Sequence, residues 1–259
     1  TPDPTPDPTP DPTPDPTPDP TPEPTLPLPE SFLLSTGSET NFLAGDEITV
    51  EYADPEFESG DVIGIYRYCD TLIENRLHIS VLSDNSASGT LSLRGGSDDD
   101  FSTTANFPED WPLPTGVYSV VYLGGDGSTV RGVSYFTVNN PNYDVSTNKV
   151  RYPSGEAWQV SWSDTSGSRD VRDFVGMFVG CDPSGTSIMQ YRYGCGSSAT
   201  AVCSSETALI YDNSGTDDFN GYRNVQPWGL PAGLYTVTYN TANFIASVQS
   251  IRLIEVFDE

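Results

Sequence analysis

The sequence contains few basic residues. Lysine and arginine together number 11 against 37 aspartates and glutamates, which gives a net charge of −26 at pH 7. Because so acidic a surface repels phosphate backbones and anionic lipids, we expect neither nucleic acid nor a membrane surface as a partner. The sequence also lacks any run of 18 apolar residues, so we expect no membrane-spanning helix. These absences are typical of the solvated acidic surface of a secreted protein.

Signatures of catalysis are absent as well. The chain has a single histidine, His78, and no C-x-x-C pair, which argues against a zinc site. It contains no G-x-S-x-G elbow, H-E-x-x-H motif, phosphate loop or dinucleotide fingerprint. A catalytic triad would have to use His78, which we expect to face solvent from the alternating run LHISV at residues 77–81. We therefore predict that the protein is not an enzyme and has no cofactor, apart from the calcium considered below.

Cysteine is scarce, with four residues in the chain. Cys195 and Cys203 flank a short segment, which favours a local disulfide between them in an oxidising compartment. Cys69 and Cys181 follow equivalent motifs in the two halves of the sequence. They could pair with other partners or remain buried thiols, because four cysteines allow three connectivities and the sequence does not choose among them.

The first 30 residues form a proline-rich stalk. Residues 1–20 are five copies of Thr-Pro-Asp-Pro, followed by TPEP at 21–24 and the decaying TLPLP at 25–29. Proline lacks an N–H and pushes the residue before it toward extended geometry, so we predict a polyproline II rod. At about 3.1 Å per residue, 24 residues span roughly 75 Å. Because the sequence begins within this repeat, we expect it to be a piece of a longer chain.

The threonines of the stalk are candidates for O-glycosylation. Polyproline II has about three residues per turn, so threonines four residues apart point in directions about 120° apart and could carry sugars all round the rod. Tracts rich in threonine and proline are typical of O-glycosylated stalks, whereas the chain has no N-x-S/T sequon. A bare spacer between modules is the other interpretation. The candidate threonines are Thr1, Thr5, Thr9, Thr13, Thr17, Thr21 and Thr25.

The tandem tetrapeptides of residues 1–24 resemble the repeat backbones of glycan-coated extracellular fibrils from natural waters. The resemblance implies dense O-glycans, some of them on hydroxylated prolines, and self-association into fibrils or a surface assembly. The prolines that it marks as candidates are Pro2, Pro4, Pro6, Pro8, Pro10, Pro12, Pro14, Pro16, Pro18 and Pro20.

The rest of the chain contains an internal duplication. GDVIGIY at 60–66 is echoed by RDFVGMF at 172–178, and WPLPTGVYSVVY at 111–122 by WGLPAGLYTVTY at 228–239. Cys69 and Cys181 each come three residues after the first motif, and DDF recurs at 99–101 and 217–219. We therefore predict a stalk at 1–30, a first domain at 31–139 and a second domain at 140–259.

Both copies are expected to be all-β. Apolar residues alternate with period two, as in residues 47–52 and 158–162, and clusters of glycine, aspartate, serine and proline separate the short runs. The two motifs resemble those of immunoglobulin-like and fibronectin-III-like domains of secreted proteins. That resemblance implies two tandem immunoglobulin-like antiparallel β-sandwiches, with the first motif as a central strand and the second as a late hairpin strand. The cysteine-containing segment 180–205 departs from the pattern and could form a binding loop.

Acidic clusters precede the second motif in both copies. Clustered carboxylates suit Ca²⁺, which takes six to eight oxygen ligands. A solvated acidic turn is the simpler interpretation, and a pair of catalytic acids is a third. The calcium candidates are Asp98, Asp99, Asp100, Asp217 and Asp218.

Aromatic residues divide into expected core and loop positions. The periodicity assigns Trp158, Trp162, Tyr66 and Phe178 to the core. The loop aromatics could stack on sugar rings, although packing is the favoured role of the two tryptophans that precede the duplicated turn. These loop aromatics are Tyr191, Tyr193, Tyr222, Trp111 and Trp228.

Three functions fit these observations. The favoured one is an extracellular or cell-surface structural protein that forms fibrils and carries glycans on its stalk. The alternatives are a carbohydrate-binding or adhesin tip, and accessory domains of a secreted hydrolase.

Overall fold

The computed structural model describes residues 31–37, 40–82, 87–103, 111–183, 187–195, 202–203, 205–212, 221–222, 229–241 and 247–258. Within these ranges the secondary structure is β-strand, apart from one 3₁₀ turn at Ile73–Asn75. No helix in this part of the chain is long and apolar enough to cross a bilayer. The predicted class is confirmed, because the chain folds into two tandem immunoglobulin-like β-sandwiches.

The first sandwich consists of a three-stranded and a six-stranded sheet. The strand orders are β1-β3-β6 and β2-β9-β8-β4-β5-β7, and neighbours are antiparallel except for β2, which runs parallel to β9. The GDVIGIY motif supplies β4, which lies between β5 and β8 as a central strand. The strands are β1 (Leu33–Ser35), β2 (Asn41–Leu43), β3 (Ile48–Ala53), β4 (Val62–Arg67), β5 (His78–Val81), β6 (Ser88–Leu93), β7 (Ser102–Thr103), β8 (Gly116–Leu123) and β9 (Val130–Asn139).

The second sandwich repeats this arrangement strand for strand. Its sheets have the orders β10-β12-β15 and β11-β18-β17-β13-β14-β16, with β11 parallel to β18. The duplication in the sequence is therefore a duplication of topology. The strands are β10 (Tyr143–Thr147), β11 (Arg151–Pro153), β12 (Trp158–Asp164), β13 (Phe174–Val179), β14 (Ile188–Tyr193), β15 (Ser205–Tyr211), β16 (Gly221–Tyr222), β17 (Gly233–Asn240) and β18 (Val248–Phe257).

Each sandwich has its own apolar core between the two sheets. Alternate residues of β3 point inward, as do those of β12, where Trp158, Val160 and Trp162 are all buried. The burial predicted for Trp158, Trp162, Tyr66 and Phe178 is confirmed. Tyr66 and Phe178, however, lie in separate apolar clusters and not in the main cores.

The duplicated L-P-x-G-x-Y motif builds the same corner in both sandwiches. The Tyr118 hydroxyl donates a hydrogen bond to the Pro114 carbonyl at 2.7 Å, and the Tyr235 hydroxyl donates one to the Pro231 carbonyl at 2.9 Å. A tyrosine that bonds back to the backbone a few residues upstream is a feature of immunoglobulin-like sandwiches. It ties the turn that enters the strand to the core, so the motif has a structural role.

The two sandwiches are joined by a covalent and packed interface. Cys69, after β4, forms a disulfide with Cys181, after β13, which resolves the open pairing and excludes free thiols there. Around this bond Val117 and Ile251 are buried together, with Leu234, Val248 and Leu253 packed against them. The structure also contains the local disulfide between Cys195 and Cys203.

Hydrogen bonds also fix the connection between the sandwiches. The Asn139 side chain accepts a hydrogen bond from the Ile251 amide at 2.7 Å. The Asn140 amide and side chain both donate to Gln249, each at 2.9 Å. The connecting residues therefore pair with the start of β18 and do not form a free linker.

Candidate functional site

A buried charge cluster lies at the end of the first sandwich remote from the second. Arg131 donates from one nitrogen, Nη1, to Asp54 at 2.6 Å and to Asp61 at 3.1 Å, and both carboxylates are buried. The Tyr122 hydroxyl donates to the same Asp61 oxygen, Oδ2, at 3.0 Å. Burial, followed by the hydrogen bond to Asp61, raises the pKa of Tyr122, so its hydroxyl remains a donor.

The second sandwich contains the same two carboxylates and tyrosine with a different arginine. The Tyr239 hydroxyl lies 3.4 Å from Asp164 and 3.3 Å from Asp173, and both carboxylates are buried. Arg169 donates to the backbone carbonyl of Asp164, and its Nε lies 4.0 Å from the carboxylate. Burial, followed by the charges of the two carboxylates, raises the pKa of Tyr239.

These clusters explain why the duplicated motifs carry aspartate and tyrosine. Asp61 and Asp173 are the second residues of the first motif, and Tyr122 and Tyr239 end the second, so the two motifs meet across adjacent strands. The carboxylates also accept backbone hydrogen bonds from the preceding loop, as Asp61 does from the Glu58 amide at 3.1 Å. The arrangement fastens loops to the core.

Sequence reasoning missed the partner carboxylates of these clusters. Asp54 follows β3 and Asp164 ends β12, so the two occupy equivalent places in the duplicated halves. The sequence contains a further match between the two copies that identifies them: YAD at residues 52–54 corresponds to WSD at residues 162–164. No match between the two copies identifies Arg131, because the arginine of the second cluster, Arg169, comes from a different segment of its sandwich.

The carboxylates of the first acidic loop accept hydrogen bonds from nearby backbone amides. Asp99 accepts hydrogen bonds from the amides of Gly95 at 2.9 Å and Phe101 at 2.8 Å, and Asp100 accepts one from the Ser92 amide at 2.8 Å. Asp98 contacts the neighbouring Ser97 hydroxyl. In the described part of the chain, no group of three or more histidine, cysteine or acidic side chains is arranged to hold a metal ion.

Other predicted positions lie outside the described residues, so their roles remain predictions. They are Asp217 and Asp218 of the second acidic loop, Trp228, and all the stalk candidates at residues 1–25.

The expectation that His78 faces solvent is wrong. His78 is the first residue of β5 and pairs with Ile65 of β4, whose side chain lies in the core. Directly paired residues of neighbouring strands share a face, so His78 points between the sheets and is buried. The expected alternation counted Leu77 as part of the strand, but the strand begins at His78. A shift of one residue in the alternation assigns every side chain to the opposite face of the sheet.

The loop aromatics divide into packing residues and a surface group. Trp111 packs against the first core and lies against the backbone of Gly95, which agrees with its favoured packing role. Tyr191 and Tyr193 lie on strand β14, edge to face with ring centroids 5.5 Å apart. Together with Phe174, 5.9 Å from Tyr191, they form a partly exposed aromatic face on the second six-stranded sheet.

A groove runs along the junction between the sandwiches. It has a volume of about 500 Å³, and Leu234 lines both this groove and a second one of about 220 Å³. We call the larger one the seam groove. Tyr68 and Cys69 form its wall on the first sandwich, and Val179, Gly180, Cys181 and residues 231–235 form its wall on the second.

Tyr68 holds an exposed ring at this groove through an unusual backbone. Tyr68 and Cys69 have φ angles of 58° and 59°, in the left-handed region that bulky residues rarely occupy. The Tyr68 amide donates to the Val117 carbonyl at 2.9 Å, and the disulfide anchors the next residue. The ring is 40% exposed, and the Arg67 guanidinium carbon lies 4.8 Å from its centroid. Strained backbone held in place by its surroundings is common at ligand-binding sites.

Comparison with known proteins yields structural likeness only. No known family and no curated protein matches the sequence. The two tandem V-type regions of VCBP3, a V-region-containing chitin-binding protein, share 12% identity, with a TM-score of 0.33 over 87% of this chain and 98% of that one. The fibronectin(III)-like modules of Clostridium thermocellum CbhA share 12% identity, with a TM-score of 0.25 over 88% and 94%. Likeness at this level is compatible with many functions on one fold.

Proposed function

We propose that the protein is an extracellular structural or adhesive protein without catalytic activity. In this proposal a sugar-coated proline-rich stalk carries a rigid pair of immunoglobulin-like sandwiches, and the chains assemble into fibrils or a surface layer. Two disulfides within one chain fit an oxidising, extracellular compartment.

The observation that carries the proposal is the fixed junction between the sandwiches. Tandem domains joined by a free linker move relative to one another by default. Here the Cys69–Cys181 disulfide, the apolar cluster around Val117 and Ile251, and the side-chain hydrogen bonds of Asn139 and Asn140 oppose that motion. A pair held in this way transmits force and keeps its binding surfaces in a constant orientation, as an assembly subunit requires.

The absence of catalysis is supported by how the polar groups are used. The buried aspartates are hydrogen-bonded to arginine, tyrosine or loop amides. The single histidine lies between the sheets of the first sandwich. Among the described residues we find no nucleophile, base and accessible pocket in one place.

Two measurements on the native protein test this function. We expect glycopeptide mass spectrometry to find extra hexose mass on residues 1–24, and electron microscopy to show fibrils or ordered surface assemblies. An unmodified stalk together with chains that remain single at every concentration would contradict the proposal. Turnover of any substrate by the purified full chain would contradict the non-enzymatic role separately.

The aromatic face supports an adhesin or carbohydrate-binding role as the second candidate. Aromatic rings at a surface can stack on sugar rings, and the half-buried Tyr191 and Tyr193 stand side by side on one strand. Screening the full chain against immobilised glycans should then reveal saturable binding. Replacing both tyrosines with alanine should weaken it at least tenfold, while Val81→Ala, an exposed change on the first sandwich, should leave it unchanged. Unaltered binding in the double variant would exclude this face.

A further inference from the structure

The seam groove is lined mainly by apolar groups. Val179, Pro231 and Ala232 are exposed there beside the disulfide and the Tyr68 ring. Clefts of about 300–1,000 Å³ at domain interfaces are common binding sites. Because this groove offers few hydrogen-bonding side chains, it suits an apolar, preformed chain better than a sugar, whose hydroxyls need partners.

A segment of this same chain has the matching chemistry. Where the stalk repeat decays, threonine and aspartate give way to leucine in residues 26–29 (LPLP), which directly precede the folded part. Alternating prolines predispose these four residues to polyproline II geometry. Proline-rich segments of this kind dock into aromatic-lined grooves, because little conformational entropy remains to be lost. These two leucines are the only aliphatic side chains in a stalk otherwise made of proline, threonine and acid, and they offer apolar surface for such a contact.

The segment is compatible with a glycan coat on the rest of the stalk. Residues 26–29 contain no threonine or serine, so the segment itself carries no candidate for O-glycosylation and the nearest one is the flanking Thr25. Their acidic flanks, Glu23 and Glu30, carry the charge opposite to that of Arg67 beside Tyr68. Docking would therefore combine apolar contact with a favourable charge next to Tyr68.

The whole segment cannot lie in the groove of its own chain. Phe32 packs against Tyr122 and Gly132, whereas Tyr68 lies at the level of Val117, five residues away along β8. Five residues of strand span roughly 17 Å. Pro29 and Leu28 stand three and four residues before Phe32 and reach at most about 11 and 14 Å from it, whereas Leu26, six residues away, reaches about 22 Å. Only a second copy of the chain can therefore place all four residues in the groove.

We infer that residues 26–29 of one molecule dock in the seam groove of the next, with Tyr68 as the central contact. Because the segment leaves one end of the first sandwich and the groove lies at the other, the contact is head to tail and can repeat from copy to copy. Heterologous contacts of this kind generate filaments when the rotation between copies does not close a ring. The inference rests on the proposed assembly function and names the contact that would build it.

Binding of a labelled peptide to the full chain tests the groove directly. The probe is a fluorescein-labelled peptide of residues 22–30 (PEPTLPLPE), and its control carries serine in place of both leucines. We expect saturable binding of the first peptide below about 1 mM, and at least tenfold weaker binding of the control.

Variants of the groove supply the matched comparison. Tyr68→Asn removes the ring while keeping a residue that tolerates the left-handed backbone, and Val179→Asp places a charge in the groove. Each should weaken peptide binding at least tenfold without lowering the melting temperature by more than a few degrees. Leu72→Asn, an exposed apolar position outside the groove, should bind as the wild type does. Equal binding by Tyr68→Asn and wild type would overturn the inference.

Sedimentation of the full chain separates this inference from the proposed function. The average molecular mass of the wild type should rise with protein concentration. Excess peptide, or the Tyr68→Asn substitution, should suppress that rise. Assembly that persists in Tyr68→Asn and in excess peptide would overturn the groove contact while leaving the assembly function in place. Peptide binding without assembly would overturn the head-to-tail arrangement, and native protein that shows no fibrils would count against the function itself.

Discussion

Arg131 is the counter-charge for two buried carboxylates, Asp54 and Asp61. A buried ion pair adds little compared with a well-packed apolar substitute, but removing one partner leaves an uncompensated charge in a poor solvent. The equivalent carboxylates of the second sandwich depend on Tyr239 and on the more distant Arg169. The two sandwiches therefore stabilise the same pair of aspartates by different means.

Replacing Arg131 with methionine should lower the free energy of unfolding of the first sandwich by about 3–5 kcal/mol, measured by urea denaturation. The control is Arg172→Met, which removes an exposed pair with Asp170 and should cost about 1 kcal/mol or less. Similar losses in both variants would show that the Arg131 cluster has no special role.

Tyr66 should make the protein sensitive to alkaline pH. Its ring is fully buried, and burial is the main cause that raises its pKa to about 12, against about 10 in the unfolded chain. A folded-state pKa above the unfolded value contributes stability that is present below pH 10 and is lost as pH rises toward 12. The wild type should therefore lose about 2 kcal/mol more than Tyr66→Phe between pH 9 and pH 11.5.

At neutral pH the same substitution should be harmless. The Tyr66 hydroxyl has no hydrogen-bond partner among the described residues, so removing it leaves no group unsatisfied. We expect the unfolding free energy of Tyr66→Phe at pH 7 to equal or exceed that of the wild type. Parallel curves for the two proteins across the alkaline range would refute the pKa argument.

At the scale of the strand, glycine in the central strand makes room for an aromatic ring. A Cβ on Gly64 would lie 2.7 Å from the Tyr66 ring, and one on Gly176 would lie 2.7 Å from the Phe178 ring. Each ring thus lies over the glycine two residues earlier on the same face of its strand. This contact explains the spacing of glycine and aromatic residue in the duplicated motif.

Gly64→Ala should therefore destabilise the first sandwich by about 1–3 kcal/mol, because the Tyr66 ring must leave its packed position. Gly116→Ala is the control, since a Cβ at that strand glycine meets its nearest atom at 3.5 Å, an ordinary contact. Thermal unfolding of both variants measures the difference. A loss at Gly116 as large as that at Gly64 would contradict the packing explanation.

At the scale of the whole molecule, the Cys69–Cys181 disulfide changes how the chain carries tension. The two cysteines are 112 residues apart, so force applied at the two ends passes through the disulfide and bypasses the chain between them. The bypassed part includes most of the first sandwich from β5 onward and the start of the second. A subunit held between a stalk and a neighbour would thereby be protected from complete extension.

Single-molecule stretching of the full chain should reveal this bypass. The double variant Cys69→Ser/Cys181→Ser should extend further than the wild type by about 112 residues of contour, roughly 370–400 Å. The matched control Cys195→Ser/Cys203→Ser opens a loop of 8 residues and should add only roughly 30 Å. Equal extensions in the wild type and the first variant would show that the disulfide does not carry the load.

Much of the architecture follows from local sequence. Period-two alternation, the duplicated motifs and the turn residues predict the all-β class and the two copies, because these signals act between residues close together in the chain. The hydroxyls of Tyr118 and Tyr235 donate hydrogen bonds to carbonyls only four residues upstream, so their motif can be recognised from the sequence alone. The stalk composition likewise predicts extended geometry for residues 1–24.

The candidate site depended on tertiary structure. Cys69 pairs with Cys181, Arg131 with carboxylates 70 and 77 residues away, and Tyr68 faces residues 231–235, all through contacts between distant segments. By itself the sequence determined the all-β class, the duplication and the inward faces of β3 and β12, whereas the face of His78 was decided by the pairing of β5 with β4. Only the packing of one sandwich on the other decided where the seam groove lies. Its two walls come from segments far apart in the chain, and no local stretch of sequence contains both.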